Sequence, residues 1–596
     1  MWSTRGNGRR IYRSRTFIVL LLMVGLSAVV LPAQAVTTEP PRRIMSGWLP
    51  YWTTAESTAR VLKNADLFNE VSPFWFSAVT SGSTVSITSQ TDAGTRSSIG
   101  AQLNGRGIKV LPTITDGTRP GVMATRLRNS KTRAALVTQL VALTDQPHVD
   151  GVDLDWENFA FRDGHASWST TRPAWVAFIT SLGAHLHKRH KLLAVTTPPL
   201  YDAGQANSSG YWVYDWSAIA GSIDRLRIMT YDYSFDAPGP IAPYAWVDRV
   251  AAFAVTQVPA GKVELGVAAY GRDWVARKAD NSLDITGTCP VNSPPSLSSH
   301  EFPSSMVPSI LSAHGLTSKN VRWDPVSQER TFRFVTGFSG LDAAHKPTSC
   351  RIVHEVWYDD VSSALSRSRL VYRYHLAGLA QWTVGGESMA LWPKLRAYAR
   401  AIAPKVTRIT LRAPLNITYG APLRLNLRAV SGGASVSGAP VTVRFMASGG
   451  HRWSVIRRAR TSRTGAYVLP LAARRSGQYN VLIPGTYIRR AASAQVRVQV
   501  HSAVTIRLSE NLIRSGQSVI AMVGVNPRIK GQRVLRQVLT GGRWVTAGTA
   551  TTNASGVALF SFSPTAVGKT LRYRMMTSPV RGYAAGAVYF KVTVRR

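Results

Sequence analysis

The chain has 596 residues and a formal net charge of +40 at pH 7, with 71 Lys and Arg residues against 31 Asp and Glu residues. Its length predicts several domains, and its 45% hydrophobic residues are enough to build folded cores. With two cysteines, Cys289 and Cys350, and no cysteine–histidine cluster, the composition argues against a zinc site, and no cofactor is expected.

The first 35 residues predict a secretory signal peptide. Five arginines form a basic start, residues 17–31 are apolar or small without a charge, and Ala-Gln-Ala at 33–35 is a small-x-small cleavage site. The alternative is an uncleaved anchor, but the apolar run is shorter than the roughly 20 residues that a spanning helix needs. We therefore expect a secreted, extracellular protein, and export argues against nucleic acid as the partner of this basic chain.

Eight short β-rich stretches follow between residues 44 and 383. They alternate with longer stretches, two of which, "AALVTQLVALT" and "AWVAFITSLGAHLHKRH", have helical apolar spacing. Alternating strands and helices with strands apolar on both faces predict a parallel (β/α)8 TIM barrel in a domain spanning 36–400. The strand candidates are 44–52, 70–77, 109–115, 149–156, 191–197, 225–233, 262–270 and 378–384.

The gap between the last two strand candidates is too long for a single crossover helix. Residues 275–355 are predicted to form an inserted subdomain, and both cysteines lie in it. An exported protein meets an oxidising environment, so we predict a Cys289–Cys350 disulfide, with two free buried thiols as the alternative. Closing a loop of this length contributes about 4 kcal/mol in the chain-entropy model.

Residues 401–408 are predicted to be a linker to an all-β region. After them come short alternating strands with Gly and Pro turns, which is the pattern of β-sandwiches. The expected architecture is therefore multidomain, with the barrel followed by two Ig-like sandwiches at 409–500 and 501–596.

An internal repeat supports the two sandwiches. The stretch "HRWSVIRRARTSRTGAYVLPL" (451–471) resembles "GRWVTAGTATTNASGVALFSF" (542–562), which aligns Trp453 with Trp544 and Gly465 with Gly556. Because the two tryptophans occupy equivalent positions, both are predicted to belong to sandwich cores.

The positive charge is concentrated in this C-terminal region. Residues 405–596 carry 30 Lys and Arg residues and one acid, Glu510. Unpaired arginines are almost never buried, so these charges are expected to face solvent. An anionic cell-wall polymer is the predicted partner, so the protein is expected to associate with cell walls. The alternative is that the charge only keeps the protein soluble.

Four acids, Asp150, Asp153, Asp155 and Glu157, lie in or directly after the fourth strand candidate, within the stretch "HVDGVDLDWENFAF" (148–161). Side chains alternate along a strand, so Asp153, Asp155 and Glu157 share one face, which in a barrel points to the interior and the C-terminal mouth. Close carboxylates cannot all ionise, and one should keep its proton, as glycoside cleavage requires. Asp150, at odd spacing, is predicted to be a structural hydrogen-bond acceptor. A calcium site or a solvated acidic edge is the alternative, but the spacers are large and apolar, unlike those of calcium loops, and no metal is expected.

The motif "DGVDLDWE" (150–157) fits the DxxDxDxE signature of glycoside hydrolase family 18, the chitinase-type hydrolases. "MTYDY" (229–233), "AYGRDW" (269–274) and "GLAQWTVGGE" (378–387) resemble family motifs on the sixth, seventh and eighth strands. Many members also carry a small α+β insertion after the seventh strand. The third strand ends in "TITDG" where the family has Ser-x-Gly-Gly. "ENFAF", "SPFWFS", "AVTTPP" and "HEVWYDD" look like the branch that acts on bacterial cell walls and spore cortex.

The resemblance implies four catalytic roles. Glu157 would be the general acid, and Asp155 would orient the 2-acetamido group and stabilise the oxazolinium ion formed from it. Asp153 would share a proton with Asp155, and Tyr231 would hydrogen-bond the acetamido carbonyl. The family motifs and the strand-end aromatics give six substrate-binding candidates: Asp232, Trp382, Trp52, Trp75, Met229 and Tyr270. For the strand-end aromatics, ordinary packing is the alternative.

The resulting expectation is a secreted, monomeric hydrolase of β-1,4-linked N-acetylglucosamine polymers, either chitin or peptidoglycan. Family 18 uses the substrate's own acetamido group as the nucleophile, so the mechanism would be substrate-assisted and retaining. The alternatives are a non-catalytic chitinase-like lectin and a wall-anchored adhesin that binds carbohydrate. Such lectins typically lose the acid, whereas Glu157 is present.

Overall fold

The computed structural model describes residues 40–82, 84–204 and 209–596. The predicted signal peptide, 1–35, lies outside these ranges. Within them, no helix combines the length and the apolar character needed to cross a membrane.

Eight parallel strands form a closed barrel, as the sequence predicts. The first strand pairs with both the second and the eighth, which closes the sheet. The third strand is interrupted at Leu111 and Pro112, where proline has no N–H to contribute to the sheet. The strands are Met45–Leu49, Glu70–Ser81, Lys109–Val110 with Thr113–Asp116, Gly151–Asp155, Leu192–Thr197, Arg225–Ile228, Val263–Ala268 and Gly378–Trp382. A further strand, Thr84–Ser89, extends the second as a hairpin.

Helices cover the outside of the barrel and bury one apolar face each. In His165–Lys188, for example, Trp175, Phe178, Ile179 and Leu182 recur every three or four residues and are fully buried. The helices of the barrel domain are Thr54–Lys63, Ala93–Asn104, Val122–Arg128, Ser130–Leu143, Asn158–Phe161, His165–Lys188, Trp216–Ile219, Tyr244–Gln257, Val361–Tyr374 and Leu391–Ala401.

The insertion is a six-stranded antiparallel sheet with one helix, Val307–Ala313. It begins earlier and ends later than the predicted 275–355, because its first and last strands in the sequence, Tyr270–Val275 and Pro347–Tyr358, pair with each other. Its other strands are Ile285–Gly287, His300–Pro303, Arg322–Asp324 and Glu329–Leu341. Cys289 and Cys350 form the predicted disulfide, with an S–S distance of 2.03 Å.

The C-terminal region is all β, which is consistent with two Ig-like sandwiches. The helix Leu391–Ala401 and the strand Thr407–Arg412 confine the linker to 402–406, shorter than the predicted 401–408. The first pair of sheets holds Thr407–Arg412, Pro422–Ser431, Ala434–Ser435 and Ala466–Ala472 against Asn416–Thr418, Pro440–Ala447, Ser454–Arg460, Gly477–Ile483 and Ala492–His501. The second holds Ala503–Leu508, Val519–Asn526 and Val557–Phe562 against Leu512–Arg514, Arg533–Thr540, Arg543–Thr551, Thr570–Thr577 and Ala587–Arg595.

The predicted repeat has a structural counterpart. Gly465 and Gly556 both adopt a φ of 73°, a left-handed conformation that favours glycine, in equivalent turns. Trp453 and Trp544 are also equivalent, but both are half-exposed and neither belongs to a core cluster. The prediction that these tryptophans are core residues is therefore wrong.

Candidate active site

The fourth barrel strand divides its side chains between two environments. Val152, Leu154 and Trp156 are fully buried in the core between the strands and the helices. Asp153 and Asp155 lie on the opposite side of the strand, and Glu157 follows it directly, before the helix Asn158–Phe161. Asp150 accepts hydrogen bonds from Asn104 Nδ2 and the Val110 amide, each at 2.9 Å, which is the structural role predicted for it.

Asp153 is fully buried and receives donors from four other strands. Trp48 Nε1 and Thr113 Oγ1 each donate to its Oδ2 at 3.0 Å, and Thr196 Oγ1 donates to its Oδ1 at 3.1 Å. Arg227 Nη1 lies 3.0 Å from the same Oδ2. Every one of these contacts suits a carboxylate that carries its negative charge.

Arg227 is the centre of a buried ionic cluster below the acids. Its Nε lies 2.9 Å from Glu264 Oε2 and its Nη2 lies 2.9 Å from Glu70 Oε1. Burial opposes the charge of Arg227, but the negative charges of Asp153, Glu264 and Glu70 more than offset it and raise the pKa of the guanidinium. Buried charges persist when they are paired in this way. The acidic strand can therefore lie in the apolar barrel, because Arg227, with 1% of its surface exposed, neutralises part of the negative charge of that strand.

Asp155 lies between Asp153 and Glu157 in the sequence, and the negative charges of both act on its carboxyl group. Burial raises the pKa of Asp155 well above its usual range, and the charges of Glu157 and Asp153 raise it further. The carboxyl group hydrogen-bonds to Glu157, and its Oδ1 has no partner among the described residues. The raised pKa of Asp155 therefore favours a proton on the pair that it forms with Glu157.

Glu157 is the last of the three acids Asp153, Asp155 and Glu157, and its side chain is half-buried. Burial raises its pKa, the hydrogen bond with Asp155 lowers it in part, and the charge of Asp232 raises it again. The Tyr214 hydroxyl donates to the carbonyl of Trp156 and so fixes the backbone that carries Glu157. A carboxylic acid with a raised pKa at the mouth of a barrel is suited to proton donation.

Tyr231 follows the sixth strand and faces the same acids. A Cβ at Gly266 on the seventh strand would lie 2.7 Å from a ring carbon of Tyr231 and 2.7 Å from the carbonyl oxygen of Ile228, so glycine makes room for the ring. Burial raises the pKa of Tyr231 well above its usual range, and the charges of Asp155 and Glu157 act in the same direction. The hydroxyl thus stays protonated and can donate.

Asp232 adopts a φ of 56°, which turns its carboxylate toward the insertion. Its Oδ1 accepts from Tyr270 Oη at 2.5 Å and from Arg272 Nη2 at 3.0 Å. Tyr270 is buried and its hydroxyl is already engaged by Asp232, so it positions Asp232. Met229 is also largely buried.

An aromatic wall borders the acids. The ring of Trp382 is half-exposed and lies 5.9 Å from Trp48 and 5.1 Å from Phe74, centroid to centroid. Trp75, which the sequence suggested as a sugar contact, is 1% exposed in the core behind the barrel. The assignment of Trp75 as a sugar contact is therefore wrong, and Phe74 is the residue of this strand that contacts Trp382. Trp52 is 59% exposed just after the first strand, away from these contacts.

Two residues of this region, Phe74 and Arg227, were not among the predicted site residues. Phe74 was missed because its neighbours Trp75 and Phe76 are equally aromatic. The sequence around Arg227 does indicate buried charge, since Arg225 and Arg227 alternate with Leu226 and Ile228 in a strand predicted to be buried. Charged residues inside a buried strand indicate counter-charges on its neighbours.

Comparisons with known proteins show which family and which relatives this chain resembles. The sequence profile of glycosyl hydrolases family 18 matches residues 48–387, more than half of the chain. An uncharacterized glycosylase, YvbX, of Bacillus subtilis is 26% identical over 46% of this chain and 69% of its own length. The cortical fragment-lytic enzyme of the same organism is 24% identical over 38% of this chain and 47% of its own length. The C-terminal domain of a putative chitinase from Desulfitobacterium hafniense, a solved structure, matches with a TM-score of 0.48 and 24% identity over 60% of this chain and 99% of that domain.

Proposed function

Because this chain belongs to glycosyl hydrolase family 18, we propose that it is a secreted hydrolase of β-1,4-linked N-acetylglucosamine polymers, either chitin or peptidoglycan. The observation that carries the proposal is the hydrogen-bonded pair of Asp155 and Glu157, with raised pKa values, beside the aromatic wall of Trp382 and Phe74. Membership of the family indicates the class of reaction. Within the pair, Glu157 is the acid and Asp155 is the group that can hydrogen-bond an acetamido substituent.

In the proposed first step, Glu157 donates its proton to the glycosidic oxygen as the bond from that oxygen to C1 breaks. The carbonyl oxygen of the substrate's 2-acetamido group attacks C1 and forms an oxazolinium ion, so the enzyme needs no nucleophile of its own. Asp155 accepts the acetamido N–H, and Tyr231 donates to the acetamido oxygen. Trp382 provides the apolar surface beneath the same sugar.

In the second step, the carboxylate of Glu157 takes a proton from a water molecule, and that water adds to C1. The ring of the oxazolinium opens, the acetamido group is restored, and the configuration at C1 is retained. Glu157 thus ends the cycle protonated, as it began.

For Asp153 we propose a role other than the proton sharing that the family resemblance implies. Three hydrogen-bond donors and the guanidinium of Arg227 hold its carboxylate in place beside Asp155. We assign Asp153 the role of a fixed negative charge that keeps the proton on the Asp155–Glu157 pair.

The pH dependence of this acid gives a first prediction. Asp232 raises the pKa of Glu157, and Glu157 must be protonated to act. Asp232→Asn should therefore lower that pKa, so that kcat/KM declines at lower pH on its alkaline limb than in the wild type. The control is Asp145→Asn, which removes an exposed surface acid. An alkaline limb that stays in place or moves to higher pH in Asp232→Asn would contradict the assignment.

The experiment that tests the proposed function is the release of new reducing ends from fully acetylated chitin hexasaccharide and from purified peptidoglycan. Hydrolysis of at least one is expected, and the preferred polymer identifies the substrate. Binding without hydrolysis of either would instead support the lectin alternative.

A further inference from the structure

The second sandwich has a five-stranded sheet whose outer face is rich in arginine, lysine and aromatic residues. Tyr573, Met575, Val592 and Val594 point into the core of this sandwich. Because side chains alternate along a strand, their neighbours on the same strands point outward. Those outward residues, with Trp544 from the edge strand Arg543–Thr551, form what we call the basic aromatic face: Arg572, Arg574, Tyr589, Lys591 and Trp544.

Two aromatic rings and one guanidinium group form the centre of this face. The guanidinium of Arg574 lies 4.7 Å from the ring centroid of Trp544, and its Nε donates to Gln537 Oε1 at 2.6 Å. The rings of Trp544 and Tyr589 lie 5.7 Å apart, and Tyr589 is 62% exposed. These contacts hold a cation beside exposed ring surface in a fixed arrangement.

Uncompensated positive charge lies next to this centre. Arg572 and Lys591 are exposed and directly opposite each other on neighbouring strands. Like charges in this position destabilise a sheet. The five strands of the sheet contain no Asp or Glu, and Glu510 is the single acid between 405 and 596. An anionic ligand would supply the missing counter-charge.

The first sandwich repeats part of the arrangement. Arg444 lies 5.4 Å from the ring centroid of Trp453 and donates to Asn480 Oδ1 at 2.9 Å. In both sandwiches the arginine and the amide are cross-strand partners, but they have exchanged strands. In the first sandwich, however, Arg497 lies opposite Gln478, so the opposed cations are a property of the second.

From these contacts we propose that the basic aromatic face binds an acidic polysaccharide. Its sugar rings would stack on Trp544 and Tyr589, and its anionic groups would contact Arg574, Arg572 and Lys591. The choice of a polysaccharide over a nucleic acid rests on the proposed function, because a secreted hydrolase of glycans would encounter the polysaccharides of cell walls. The face would hold the enzyme on an anionic wall while the barrel cleaves.

The test measures binding of the full chain to four soluble probes across a salt series. Polygalacturonate has rings and charge, chitin hexasaccharide has rings alone, polyphosphate has charge alone, and polyuridylate represents nucleic acid. We expect polygalacturonate to bind most tightly. Trp544→Ala, Tyr589→Ala and Arg574→Gln should each weaken that binding at least about tenfold, as for central aromatic and arginine contacts. Arg507→Gln, which removes an exposed charge from the opposite sheet, is the matched control.

A second readout separates a binding role from a structural one. Lys591→Gln removes the like-charge opposition, so it should weaken binding of polygalacturonate without lowering the thermal stability of the chain. Equal binding by all variants, equal affinity for polyphosphate and polygalacturonate, or tighter binding of polyuridylate would overturn the proposal. Polygalacturonate contains no N-acetylglucosamine, so these outcomes are independent of whether the barrel hydrolyses chitin or peptidoglycan.

Discussion

Replacing Glu157 by Gln should lower kcat on N-acetylglucosamine oligomers by about 10²–10⁴-fold while the chain remains folded. The amide keeps the shape of the side chain and its place beside Asp155, but it cannot donate the proton that the leaving oxygen needs. The measurement is kcat on chitin hexasaccharide, with circular dichroism to show that the fold is intact.

Glu510→Gln is the matched control for this substitution. Glu510 is exposed, lies in the second sandwich and contacts Gln517, so its replacement should leave kcat unchanged. If Glu157→Gln keeps activity within a few-fold of the wild type, Glu157 is not the general acid.

Replacing Arg227 by Met should destabilise the barrel by about 3–5 kcal/mol, the usual result of removing one partner from a buried ionic cluster. Asp153 and Glu264 would each lose a close counter-charge, and Glu70 would keep its contact with Arg225 at 3.0 Å. We expect the midpoint of urea-induced unfolding, followed by tryptophan fluorescence, to fall markedly.

The control for Arg227 is Arg189→Met, which removes an exposed ion pair with Asp145. Such pairs contribute about 0–1 kcal/mol, so this variant should unfold close to the wild type. Equal midpoints for the two variants would show that the buried cluster does not stabilise the barrel.

Much of the barrel could be predicted from the sequence because its signals are local. Apolar runs in the sequence predict the strands. The alternation within "DGVDLDW" is enough to place Asp153 and Asp155 on the face opposite Val152 and Leu154. The disulfide followed from the presence of two cysteines in one insertion of a chain that begins with a predicted secretory signal.

The errors arose where the alternation of a strand depends on its neighbours. Strand pairing shifts between Phe74 and Phe76, so the sequence does not indicate which of three adjacent aromatic residues faces the interior. Similar shifts occur at Val443/Arg444 and at Arg536/Gln537, in the strands beside Trp453 and Trp544. The repeat therefore established that the two tryptophans are equivalent, but not that both lie on the outer face.

The partners of Arg227 could not be predicted because they come from separate parts of the chain. Glu264 is the register partner of Arg227 on the neighbouring seventh strand, whereas Glu70, on the second strand, reaches the same guanidinium only because the barrel closes. Nothing in the local sequence of either acid indicates that contact.

The measurement that tests the central claim most directly is the composition of the ends created in partly deacetylated chitosan. If the acetamido group is the nucleophile, every new reducing end should be N-acetylglucosamine, and thiazoline mimics of the oxazolinium ion should inhibit the reaction. New reducing ends that are glucosamine, formed at a comparable rate, would contradict substrate-assisted catalysis by Glu157 and Asp155.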